Sequence, residues 1–105
     1  MTGDSLRGSS DRSILILTSL AGSPRHGYAL IKDIQGFAGV TLGAGTLYGA
    51  LAKLEQAGLV AALPADERRR PYQITEAGRE HLRARLAESA RIASIGLARI
   101  AAASS

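Results

Sequence analysis

The sequence predicts a mainly helical α+β domain: three helices, a two-stranded hairpin, then a long C-terminal helix. Three observations carry this. From Gly43 to Val60 the chain reads GAGTLYGALAKLEQAGLV, a glycine-bearing lead into a helix with Leu47, Leu51 and Leu54 at helical spacing. Gly58 stops that helix, because glycine adopts the left-handed backbone conformation at no steric cost. Leu59, Val60 and Leu63 then precede an arginine-dense turn, and Tyr72-Gln73-Ile74-Thr75 follows it. Helix, strand, basic turn, strand is the layout of a winged helix-turn-helix, whose third helix and wing are the two parts that touch DNA.

Taken in order, residues 1 to 11 are polar and rich in glycine and serine, which predicts a flexible arm. Arg7 and Arg12, in and beside it, have two readings, a brush against phosphates or simple solvation, and solvation is the one expected. Asp11 or Ser13 caps a first helix running to Ala21, with Ile14, Leu17 and Leu20 inward and Gly22 at its end. Ser23-Pro24-Arg25-His26 is read as a turn. A second helix starts near Gly27 with Tyr28, Ile31 and Ile34 on one face, and Gly36 and Gly39 break it. Pro64 and Pro71 bracket the wing loop, where proline suits strand ends. The last helix starts at Thr75, a natural N-cap, with Glu76 well placed for the helix dipole. The expected organisation is an arm over 1–11, a winged helix-turn-helix over 12–74 and a dimerisation helix over 75–105.

Composition narrows the function. A chain of 105 residues with 46% apolar content is one domain with a small core. Such a core gains from burying more surface against a second copy. The net charge is +4, which favours an anionic partner. The absence of cysteine removes disulfides, thiolate metal sites and cysteine nucleophiles, and suits the reducing cytoplasm. No apolar run is long enough to span a bilayer, and MTGDSLRGSSD has no apolar core of a secretory signal. No membrane partner is expected. His26 and His81 are too isolated to form a metal site. No phosphate-cradling glycine loop, Ser-His-acid set or paired carboxylates are present, so neither an enzyme nor a cofactor is expected.

The third helix separates into two faces. Opposite its three leucines lie Gly45, Gly49, Ala52, Lys53 and Gln56, with Thr46 and Tyr48 on the flanks. Small outward residues let a helix axis approach base edges in a major groove barely wide enough for it. Lys53 and Gln56 then reach bases or phosphates, and Thr46 and Tyr48 offer hydroxyls to the backbone. The blander reading is that this small face packs against another protein element. The wing, Asp66-Glu67-Arg68-Arg69-Arg70, carries three consecutive arginines able to neutralise phosphates or enter a narrow minor groove. Lys32, one turn after Tyr28, is a further candidate phosphate contact, with Tyr28 itself read as core-facing. On the last helix, Leu82, Leu86, Ala90, Ala93, Leu97 and Ile100 form the stripe expected to pair two protomers. Ile92 and Ile95 add a second apolar edge.

These residues together resemble the PadR family of bacterial transcriptional regulators. His26-Gly27-Tyr28 opens the second helix and Gly45-Thr46-Leu47-Tyr48 the third. Leu51, Leu54-Glu55, Gly58-Leu59, Arg69-Arg70, Tyr72-Gln73-Ile74-Thr75 and Gly78 continue the resemblance, which covers about residues 12 to 86. It implies a homodimeric repressor of the compact subgroup, with one C-terminal dimerisation helix. Its DNA contacts would fall on Thr46, Tyr48, Gly49, Lys53 and Arg68 to Arg70. Two departures stand out. Gly49 replaces the usual proline after the tyrosine, which loosens a first turn that proline would pre-set. The chain also lacks tryptophan, which some compact relatives use to hold flat aromatic ligands between protomers.

The leading expectation is a homodimer binding double-stranded DNA at a pseudo-palindromic operator. Two others stand beside it: a winged helix used for protein docking, and a regulator with a small-molecule effector at the dimer seam.

Overall fold

Ile16, Leu17 and Leu20 are fully buried, which puts the first helix at the centre of the fold. The computed structural model describes residues 2–65 and 67–104, with side chains from Arg12 onward. Its elements are α1 (Thr2–Gly22), β1 (Arg25–His26), α2 (Gly27–Ala38), α3 (Ala44–Gln56), β2 (Val60–Ala62), β3 (Pro71–Ile74) and α4 (Glu76–Ser104). Helix α1 packs on α2, α3 and α4. Leu30 and Ile34 of α2, Leu47, Leu51 and Leu54 of α3, Val60, Ile74 and Leu82 close the core around it. The helix starts at Thr2, not at the expected cap near residue 12. Residues 2–11 contain no proline, and extending a helix already nucleated by its apolar half costs little.

The wing has its two strands, paired antiparallel with Val60 opposite Ile74 and Ala62 opposite Tyr72. A third strand joins them: Arg25 and His26 pair with Tyr72 and Pro71, giving the order β1-β3-β2. The segment read as a turn is thus partly strand. A two-residue strand has no period to detect, and tertiary contact alone defines it. Arg25 is anchored as well as paired. Its Nε donates to the Ser19 carbonyl at 3.2 Å and lies 3.7 Å from the Asp33 carboxylate, which also accepts from the Ser19 hydroxyl at 2.6 Å. This small polar cluster ties β1 to α1 and α2.

Helix ends follow the residues that make them. Gly39 (φ 69°) caps α2, and its N–H bonds to the Gln35 carbonyl at 3.0 Å. Gly36 does not break α2; it lies inside it. At the end of α3, Gly58 takes φ 80°. Its N–H bonds to the Glu55 carbonyl and the Leu59 N–H to the Leu54 carbonyl, the paired bonds of a Schellman motif. Thr75 caps α4: its hydroxyl accepts from the Gly78 N–H at 3.0 Å and donates to the Gly58 carbonyl at 2.7 Å. One side chain thereby joins the end of α3 to the start of α4.

Helix α4 has 29 residues, about 43 Å at 1.5 Å per residue. Only Gly78 and Leu82 are buried along it. Leu82, placed by the sequence on the dimer stripe, is instead a core residue of its own protomer, 6% exposed. Helix α4 packs on α1 and Leu82 belongs to the core cluster, so the stripe leaves the core only after Leu82. Beyond it Leu86, Ile92, Ile95, Leu97 and Ile100 are all exposed. No helix among the described residues is long and apolar enough to cross a membrane.

Candidate nucleic-acid interface

The outward face of α3 is bare. Gly45, Thr46, Tyr48, Gly49, Ala52, Lys53 and Gln56 are all exposed, while Leu47, Leu51 and Leu54 are buried beneath them. A Cβ built on Gly45 or Gly49 meets no heavy atom within 4 Å, so nothing in the protomer requires glycine at either position. Nothing among the described residues of the protomer therefore packs on these two glycines.

One edge of α3 meets the wing. Tyr48 joins His26, Gly27 and Tyr28 at the start of α2 and Arg68, Arg69 and Arg70 of the wing around a groove of about 300 Å³. The sequence placed these residues far apart, and the hairpin fold gathers them. Gly27 is what permits it. A Cβ there would collide with the Tyr48 hydroxyl and stand 2.6 Å from its Cζ, so the missing side chain of α2 is where the tyrosine ring lies. Tyr72 on β3 borders the same cluster. Burial, the Glu55 carboxylate and Tyr48 push its phenol above the usual value, against a smaller opposing pull from Arg70.

The wing arginines are exposed, and among the described residues none of them makes an ion pair. Arg69 Nη1 stands 3.3 Å from His26 Nε2. His26 Nδ1 also faces the Ala29 N–H at 3.4 Å, as the cap of α2. A neutral imidazole has only one acceptor nitrogen, so it accepts from Arg69 or from the cap N–H, not from both. Glu67 has φ 60°, a left-handed conformation at the loop tip. Asp66 lies outside the described residues.

Lys32 is exposed, with Nζ 5.8 Å from the Tyr28 ring centroid. Tyr28 itself is 66% exposed, not core-facing as the sequence suggested. The buried stripe of α2 runs through Gly27, Leu30 and Ile34. A glycine in a core-facing position gives no apolar signal, so periodicity shifts to the tyrosine beside it. His26, Gly27 and exposed Tyr28 are the residues that sequence reasoning missed at this site, although the His-Gly-Tyr run was visible. Gln56 is exposed at the end of α3.

The other edge of α3 faces α1. Gly45, Thr46, Gly49 and Lys53 border an open cleft of about 460 Å³ shared with Arg12 and Ser13. Among the described residues no group of His, Cys, Asp and Glu is assembled to hold a metal ion.

Exposure of Gly49 separates folding from recognition. Leucine there places its side chain in open space and favours the helix by roughly 0.5–1 kcal/mol over glycine. Gly49→Leu is expected to keep or raise the melting temperature while lowering affinity for duplex DNA at least about tenfold, because the side chain fills the space a groove edge would occupy. Thermal melting and fluorescence anisotropy on one preparation check both halves; undiminished DNA affinity would remove Gly49 from the interface.

Comparison with known proteins gives a consistent picture. The sequence profile of the transcriptional regulator PadR-like family matches residues 16–84. An uncharacterized 37.1 kDa protein in a transposon of Streptomyces fradiae is 49% identical over 72 residues, which is 69% of this chain and 21% of that protein. The chain thus spans about a fifth of the length of that relative. A PadR family transcription regulator from Clostridium difficile superposes with a TM-score of 0.74 at 26% identity, covering 80% of this chain and 92% of that one. A PadR-like transcription factor from Bacteroides fragilis shares the fold with a TM-score of 0.77 at 20% identity, covering 95% of this chain and 99% of that one.

Proposed function

The chain belongs to the PadR-like family of transcriptional regulators, and from that premise we propose that it is a homodimeric repressor gripping a pseudo-palindromic operator in double-stranded DNA. The observation that carries this reading is the bare glycine-and-alanine face of α3 beside three exposed arginines that make no ion pair among the described residues. Helix α3 would enter the major groove. Thr46, Tyr48, Lys53 and Gln56 would then reach bases or backbone, with Lys32 and the wing holding flanking phosphates. With so few long side chains in the groove, duplex shape and deformability contribute to the sequence preference.

Dimerisation follows from α4. Leu97 and Ile100 are 68% and 65% exposed, and with Leu86, Ala90 and Ala93 they make an apolar stripe that the protomer leaves uncovered. A second copy of the same helix covers it with two-fold symmetry. The helix is rigid and continuous, so it fixes the separation of the two α3 helices. That separation must match successive major grooves, about 34–36 Å apart.

The test is binding to genomic fragments by electrophoretic shift, with mass in solution measured by sedimentation. The wild-type protein is expected to be a dimer that shifts a subset of fragments at physiological salt. Leu97→Glu combined with Ile100→Glu is expected to leave a helical monomer whose affinity for the selected fragment falls at least about a hundredfold, since each protomer then binds alone. A protein that shifts no duplex even at low salt, or a double variant that stays dimeric, would refute the corresponding half of the reading.

A further inference from the structure

The wing accounts for only one side of α3. A helix lying in a major groove about 12 Å wide has a sugar-phosphate strand along each edge, and here the two edges of α3 face different partners. Tyr48 turns to the wing groove, while Thr46 and Lys53 turn to the cleft under α1. We propose that the α1–α3 cleft is a second phosphate seat, in which Arg12 and Lys53 grip the strand opposite the one held by the wing arginines. This rests on the DNA-binding reading above and adds a site to it.

The lining of the cleft fits that ligand. Arg12 and Lys53 supply two cations, Thr46 and Ser13 supply hydroxyls, and among the described residues none that lines it is acidic. Gly45 and Gly49 are among its lining residues, with open space where a Cβ would stand, which leaves the α3 backbone open to close approach. Arg12 is half-buried against the domain, so its guanidinium starts from a position more restricted than that of a free arm. Its fork of donors matches phosphate oxygens. The sequence set Arg12 just after the arm and favoured simple solvation over a phosphate contact for it. The unbroken course of α1 from Thr2 to Gly22 instead places it on a rigid element beside the recognition helix. Two phosphate seats on opposite strands would set the rotation of α3 about its own axis. That gives a helix with a small, featureless outer face a defined register on the duplex.

The experiment compares Arg12→Ala and Arg12→Lys with the parent, on a selected genomic fragment and on an unrelated duplex, between 50 and 200 mM salt. A backbone contact carries no sequence information, so Arg12→Ala is expected to weaken both duplexes equally, about tenfold. In a dimer it should lower the salt slope by about two, one contact per protomer. Arg12→Lys, which keeps the charge, is expected to retain most of the binding. Ethylation interference on the wild-type protein supplies a measurement that requires no variant to fold. It should give two clusters of blocking phosphates per half-site, on opposite strands, one of which disappears with Arg12→Ala. Interference on the wing-side strand alone, or parental affinity and slope in Arg12→Ala while wing variants lose both, would overturn the second seat. Wild-type protein that binds no duplex would instead overturn the DNA-binding reading, and the seat with it.

Discussion

Replacing Arg69 and Arg70 together by glutamate is expected to lower affinity for any duplex by roughly a hundredfold or more near physiological salt, and to flatten its salt dependence. Each phosphate contact contributes about 0.9 to the slope of log affinity against log salt. The proposed dimer would lose four arginines at once and gain four repelling carboxylates, so the slope should fall by about three to four. Folding should be spared, because both side chains are exposed and the neighbouring hairpin is held by backbone pairing from Val60–Ile74 to Ala62–Tyr72. Arg69 does contact His26, but the α2 cap can be made by Nδ1 without it. Anisotropy titrations at several salt concentrations, with circular dichroism as the folding control, check the prediction. Parental affinity and slope would take the wing out of the interface and leave α3 without its basic neighbour.

Gly78→Ala is expected to be the most damaging single methyl in the protein. The added carbon would fall into the Leu59 carbonyl oxygen and stand 2.8 Å from Cγ1 of Ile74. That carbonyl cannot swing away, because it accepts the Thr75 N–H at 3.1 Å. Thr75 in turn caps α4 through the Gly78 N–H. Overpacking costs typically about 1–3 kcal/mol, and a backbone obstacle puts this site at the upper end. Alanine's better helix propensity returns about 1 kcal/mol. A net loss of about 2 kcal/mol corresponds to a drop of roughly 10 °C in melting temperature for a domain of this size. Gly36→Ala is the matched control. It too lies inside a helix, but with nothing within 4 Å of its Cβ, so it should melt at or slightly above the parent. Equal melting of the Gly78 and Gly36 variants would mean that the start of α4 relaxes away from β2 more easily than its hydrogen bonds imply.

The legible part of this protein is whatever repeats or punctuates locally. Leu47, Leu51 and Leu54 announce one buried face by spacing alone, and Gly58 and Thr75 mark helix ends whose bonds are made within a few residues. The exposed side of α3 was legible for the same reason, being what remains once the leucines are assigned. The illegible part depends on neighbours distant in the chain. Strand β1 exists only because Pro71 and Tyr72 lie beside it. Tyr28 points outward because Gly27 beside it takes the buried position of α2, where the ring of Tyr48, twenty positions later, lies. Leu82 looks the same as Leu86 on a helical wheel, and only the reach of the core over the first turns of α4 divides them.

Sequence by itself determined the class of fold, the order of its four helices and two wing strands, the recognition-helix candidate and the basic wing. Each of these rests on interactions of short range along the chain, which side-chain pattern and backbone preference encode directly. The tertiary structure alone decided which edge of α3 meets which cations: Tyr48 with the wing arginines on one side, Lys53 with Arg12 on the other. Those pairings join residues tens of positions apart. Their geometry is fixed by how α1, α2 and the sheet pack around a shared core, and no local pattern carries that.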